Sequence, residues 1–107
     1  MSNWKPITKP HLEGIIEIAE FNMSFVERNL WNQIKLNELE KWTQYPFGEQ
    51  GNGFWVVAII GKRCLYYNDI EDGFNLSNFE VWGEIADYYS NQTDLLSFLQ
   101  SVFFRGI

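Results

Sequence analysis

Six carboxylates, those of Asp69, Glu71, Asp72, Glu80, Glu84 and Asp87, fall within Tyr66–Asp87 with no Lys or Arg between them. Four Tyr or Phe rings and Trp82 share the same stretch. Such residues support three chemistries: paired carboxylates acting as acid and base, a cation site, or a charged aromatic surface that holds another protein. Asp69 and Glu80 could approach across neighbouring strands as an acid–base pair, but carboxylate separation decides that chemistry and spacing does not fix it. A calcium loop beginning at Asn68 fails, because its third position is Ile70 and its twelfth is Phe79, where Glu is required. Irregular calcium geometry stays open.

Other routes to catalysis are poorly supplied. His11 is the only histidine and Cys64 the only cysteine, so neither a His–His zinc pair nor a cysteine cluster can form. Cys64 sits in an apolar strand pattern and reads as a small buried hydrophobe. That burial argues against a Cys64–His11 nucleophile pair. "GEQGNGF" has the glycines of a phosphate loop but neither its Lys-Ser/Thr ending nor a preceding strand. No catalytic residue, metal ligand or cofactor is assigned, and the chain is expected not to be an enzyme.

Charge is unevenly placed. Residues 1–63 hold seven acids and seven bases, residues 64–104 hold seven acids and no base, and Arg105 brings the net charge to −6. This field disfavours nucleic acid, whose phosphates need Lys and Arg, and favours a basic partner. The longest apolar run, Phe54–Ile60, has seven residues against the roughly 20 of a spanning helix. The N-terminus lacks the apolar stretch of a secretion signal. A lone cysteine fits a reducing compartment, so a cytoplasmic location is expected.

The elements that must position these residues follow from periodicity. At 107 residues a single domain spanning the chain, 1–107, is expected. From Pro10 onward, Leu12, Ile15, Ile16, Ala19 and Met23 form a helical stripe, with Glu13, Glu17 and Glu20 on a solvated face. Ser24 and Glu27 have capping-box spacing and predict a second helix running toward Gln33, with Val26 and Leu30 on one face. Ile34–Leu36 allows a short strand, Trp42 is expected to pack, and "FGEQGNG" reads as a loop.

Phe54–Ile60 predicts a buried strand, and Gly61-Lys62 a type II′ turn into a strand from Arg63 to Tyr67 or slightly beyond. That register sets Ile59 opposite Cys64, Val57 opposite Tyr66 and Trp55 opposite Asn68. Phe79–Tyr89 fits helix or strand; Gly83 beside Val, Trp and Tyr favours strand. Asn91, with Asp94 three residues on, predicts the cap of a last helix. Its Leu95, Leu99 and Val102, with Leu96 and Phe103 beside them, would cover the sheet. The fold class is α+β: a small antiparallel sheet with N-terminal helices and a C-terminal helix packed against it.

The segments "GFWVVAIIGKRCLYYNDIEDGFN" and "FEVWGEIADYYSNQTDLL" resemble a family of small bacterial immunity proteins of polymorphic toxin and contact-dependent growth inhibition systems. The likeness covers roughly residues 42–96 and rests on Tyr67–Asn75, Gly83–Ile85 and Asn91-Gln92. It implies a non-catalytic cytoplasmic inhibitor of one cognate toxin domain, often a basic nuclease. On that expectation Asp69, Glu71, Asp72, Glu80, Trp82, Glu84 and Asp87 form the partner surface, with Trp82 as an aromatic centre inside a charged rim. The alternatives are a self-associating interaction module and a metal- or carboxylate-dependent enzyme. Trp82 could equally be packed beneath a helix, and Asn68–Asn75 could be a structural turn anchored by Phe74.

Overall fold

The computed structural model describes residues 5–44 and 53–103. Helix α1 (Lys9–Asn22) is capped by Thr8, whose Oγ1 accepts the His11 amide, and Pro10 sits in its first turn, at the helix start as expected. Helix α2 (Phe25–Ile34) carries the expected capping box. Ser24 Oγ accepts the Glu27 amide at 3.1 Å, and Glu27 Oε1 accepts the Ser24 amide at 2.7 Å. The residue α2 buries is Trp31, however; Val26 is turned to water and Leu30 is only half-buried.

Four strands follow in sheet order β1-β2-β3-β4, all antiparallel: β1 (Lys35–Trp42), β2 (Phe54–Ile60), β3 (Arg63–Asn68) and β4 (Gly73–Asn78). Helix α3 (Leu95–Phe103) closes the described chain. The fold is the α+β arrangement its patterning predicts. Two corrections concern strands. Gly73–Asn78, its first three residues expected to belong to a turn, is the fourth strand; Phe79–Tyr89, expected as a strand, is irregular apart from one parallel bridge between Thr43 and Glu84. The β1 strand is also longer than the expected Ile34–Leu36 segment. Its irregularity between Lys35 and Glu40 sets four of its residues against one residue of β2.

The β2–β3 hairpin turns at Gly61, with φ of +60°, as a type II′ turn requires. Ile59 faces Cys64 as expected, but a bulge between Val56 and Ala58 shifts the rest, so Val56 faces Tyr66 and Trp55 faces Tyr67. The bulge turns Val57 and Ala58 to the same side, where both join the larger core. No sequence pattern announces an extra residue in a continuous apolar strand.

Each sheet face has its own core. The helical face gathers Leu12, Ile16, Trp31, Val57, Leu65, Phe74, Leu95 and Leu99. The other face gathers Trp42, Phe54, Val56, Cys64, Tyr66 and Ile85, and here the covering layer is the irregular segment 79–94. Asp94 Oδ1 accepts the Ser97 amide at 2.8 Å and caps α3, the role expected of Asn91. Leu95 and Leu99 are buried as expected, whereas Val102 is 38% exposed. Two expectations, the loop over residues 47–52 and the Phe103 side chain, lie outside the described residues.

Candidate interaction surface

The segment after β4 is positioned by hydrogen bonds to the sheet rather than by a ladder of its own. Phe79 N donates to Lys62 O at 3.0 Å, Thr43 N to Gly83 O at 3.0 Å, and Ile85 N to Thr43 O at 2.8 Å. The chain thus leaves the end of β4, crosses to Thr43 beyond β1, and buries Ile85. Gly83 makes this possible with φ of +102°, a conformation side chains resist. The return run is tied by Ala86 N to Asn78 O, Asp87 N to Ser77 Oγ, and Tyr89 N to the Tyr66 hydroxyl. Backbone polar groups that a strand ladder would satisfy are met here by scattered backbone bonds and, at Asp87 and Tyr89, by side chains.

Trp82 sits at the crest of this crossing. Its ring packs edge-on against Trp42, with centroids 5.0 Å apart, and against Phe79 at 5.8 Å; Trp42 and Phe79 also pack edge-on, at 5.0 Å. Its indole N–H donates to Glu40 Oε1 at 2.8 Å, the same oxygen that accepts the Trp42 indole at 3.1 Å. Trp42 is fully buried, while Trp82 remains 54% exposed. An edge-to-face aromatic set with a fixed N–H is a rigid platform. Glu80 and Glu84 are exposed on either side in sequence, and Val81 is exposed between them.

The seven expected partner residues do not form one patch. Asp69 is buried, and its Oδ2 accepts the Ile7 amide at 2.6 Å, fastening the segment before α1 to the β3–β4 turn. Asp72 occupies the left-handed region at φ +59° and accepts the Tyr67 hydroxyl at 3.4 Å. Glu71 is half-buried in the same turn. Asp69 and Asp72 face Ile7 and Tyr67 on the helical side, away from Trp82. A cleft of about 480 Å³ beside them is lined by Ile7, His11, Ile15 and Tyr67. Asp87 is half-buried, with its amide on Ser77 and its Oδ2 accepting from Asn78 Nδ2 at 3.4 Å.

The expected Asp69–Glu80 pairing therefore finds its members on different sides of the sheet. Among the described residues, no three His, Cys, Asp or Glu side chains are grouped to hold a metal ion. Among the described residues, no helix is long and apolar enough to cross a membrane. Cys64 is buried, and desolvation pushes its thiol up to about 12.

The run Asn68–Asn75 has clear structural duties. Asn68 Oδ1 accepts the Ile70 amide at 3.0 Å while its Nδ2 donates to Tyr89 O at 2.9 Å. Asn75 exchanges two bonds with the Asn91 backbone, Nδ2 to O at 3.0 Å and N to Oδ1 at 3.1 Å. Glu40, which orients Trp82, was not singled out by sequence; its only signal is its position in an edge strand ending at Trp42. No family model, curated protein or solved structure matches the chain.

Proposed function

We propose that this chain is a non-catalytic immunity protein that neutralises a basic toxin domain, an assignment that also rests on the resemblance over residues 42–96. The observation that carries the proposal is the half-exposed Trp82, fixed by Glu40 and flanked by exposed Glu80 and Glu84. A rigid aromatic anchor loses little conformational freedom on binding. The stretch that carries it, residues 64–104, contains no base, and the exposed Lys62 and Arg63 border only its entry at Asn78 and Phe79. Such a surface speeds encounter with a cationic partner and discourages acidic ones. A nuclease site built for a polyanion is one such partner, since its own bases must face phosphates.

Within this proposal the binding set is Glu80, Trp82 and Glu84, with Glu71 and Asp72 adding longer-range field. The Asp69 carboxylate is taken up by the Ile7 amide, and that of Asp87 is bonded to Asn78. The proposed site of action is the cytoplasm, where the lone thiol of Cys64 needs no partner.

The test is capture from the native host's lysate by the wild type and by Glu80→Lys/Glu84→Lys, at low and moderate salt. Captured protein is identified and assayed for toxicity or nuclease activity with and without this chain. Selective, salt-sensitive capture by the wild type of a basic domain that it inhibits is the expected result. Equal capture by both would move the interface off this loop, and capture of no inhibited toxin would reject the immunity role.

A further inference from the structure

A second surface stands apart from the acidic loop. Ile18, Phe21, Phe25 and Val26 are 67, 83, 81 and 54% exposed. Ile18 and Phe21 lie three apart near the end of α1, on one helical face. Phe25 and Val26 open α2, and only Met23 and Ser24 separate the two helices. The corner is clasped rather than loose. Arg28 Nη2 donates to Glu20 O at 2.6 Å, Met23 N donates to the same carbonyl at 3.2 Å, and Asn22 Nδ2 donates to Ile18 O at 3.0 Å. Gln100 Nε2 on α3 donates to Glu27 Oε2 at 3.1 Å, tying the first turn of α2 to the C-terminal helix.

From these observations we infer that the α1–α2 corner is a homodimer contact, in which Phe21 and Phe25 of one copy pack against the same residues of a second. Area and charge both point to a second copy. A phenylalanine carries on the order of 150–250 Å² of buriable surface, so this corner offers roughly 500 Å², in the upper part of the roughly 300–600 Å² that a monomer's largest apolar patch spans, a size that is often functional. A twofold contact uses the patch twice and removes about 1,000 Å² from water, the size at which a specific interface becomes viable. The acids nearest the corner are largely tied down, Glu20 by Lys35 at 3.3 Å and Glu27 by the Ser24 amide and Gln100, so two corners meet with less like-charge repulsion than the base-free residues 64–104 would impose. The corner lies on the helical side of the sheet, which leaves Trp82 free, and the inference does not depend on the immunity role.

Light scattering on eluted protein across low- to high-micromolar loading, with the wild type and Phe21→Glu/Phe25→Glu, tests it. The expected result is a wild-type dimer whose dissociation constant rises by about 100-fold or more in the variant, with a thermal midpoint equal to that of the wild type diluted to where it is monomeric. Side-chain NMR resonances of Phe21 and Phe25 in the unmodified protein should also shift with concentration, a readout independent of how the variant folds. A wild type that stays monomeric with static resonances overturns the inference. So does a dimer that survives the double change, or one abolished by Trp82→Ala instead.

Discussion

Trp42 and Trp82 donate their indole N–H groups to one carboxylate oxygen, Glu40 Oε1, at 3.1 and 2.8 Å. One of these rings is core and the other faces water, so a single edge-strand carboxylate couples the sheet to its exposed crossing segment. Glu40→Ala should cost about 1–3 kcal/mol, because it strands the indole N–H of a buried Trp42. Trp82→Phe removes only the outer donor and should cost less than about 1 kcal/mol. Urea denaturation midpoints for the two variants check the order; a larger loss for Trp82→Phe would refute it.

Gly73 begins β4 where the 91–92 backbone crosses it. A Cβ there would lie 2.0 Å from Asn91 O and 2.6 Å from Gln92 Cα, both backbone atoms that cannot swing aside. Gly73→Ala should therefore lose roughly 2–4 kcal/mol by forcing the crossing segment away. Asn75→Ala, which removes both bonds to Asn91 without the clash, should lose about 1–3 kcal/mol. Thermal melts of both variants test whether this crossing is as tight as its geometry.

Asp69 separates structural from interfacial acidity. Its carboxylate accepts the Ile7 amide at 2.6 Å from a buried position, so Asp69→Ala should destabilise the chain by roughly 1–3 kcal/mol. Capture of a basic partner by the folded variant should stay near wild type, whereas Glu80→Lys/Glu84→Lys should reduce capture at unchanged stability. Loss of capture in Asp69→Ala at temperatures well below its melting point would place the interface on the β3–β4 turn.

Local chemistry was legible wherever a residue type has one strong use. The Ser24–Glu27 box, the Gly61-Lys62 turn, the Leu12–Met23 stripe and buried Cys64 all follow from their own neighbourhoods. What failed was non-local. Gly73–Asn78 contains two Asn, a Ser and a Gly, a loop composition, yet it is a strand because Asn75 and Ser77 bond the segment that crosses their face. Phe79–Tyr89 alternates like a strand, but Gly83 at φ +102° and the Thr43 bridge bend it over the sheet instead. Of the candidate surface, Glu80, Trp82 and Glu84 were found for their types, and Glu40 was missed because its partner lies 42 residues away. Phe21 and Phe25 fell outside the apolar stripe, which was itself the signal of an outward face.

Alkaline pH should expose the tyrosine network. Burial pushes the Tyr66 hydroxyl up to about 12 from an ordinary 10.0, and burial with the nearby Asp72 carboxylate does the same to Tyr67. Burial also holds the Cys64 thiol up at about 12, against an ordinary 9.0. Each group is raised in the folded chain, so its stabilising contribution is complete below its ordinary value and declines as pH rises toward the folded one. The unfolded chain sheds these protons first, and stability should fall between about pH 9 and pH 12. Tyr66→Phe separates the two roles of that hydroxyl, which accepts the Tyr89 amide at 2.7 Å and donates to Tyr89 O at 3.1 Å. The variant should lose about 1–3 kcal/mol at neutral pH, where the Tyr89 amide goes unmet. Its stability should then fall less steeply above pH 10, since one of the three raised groups is gone. Denaturant titrations of both proteins from neutral pH to pH 11 measure the two slopes, and parallel slopes would show that Tyr66 ionises alike in the folded and unfolded chains.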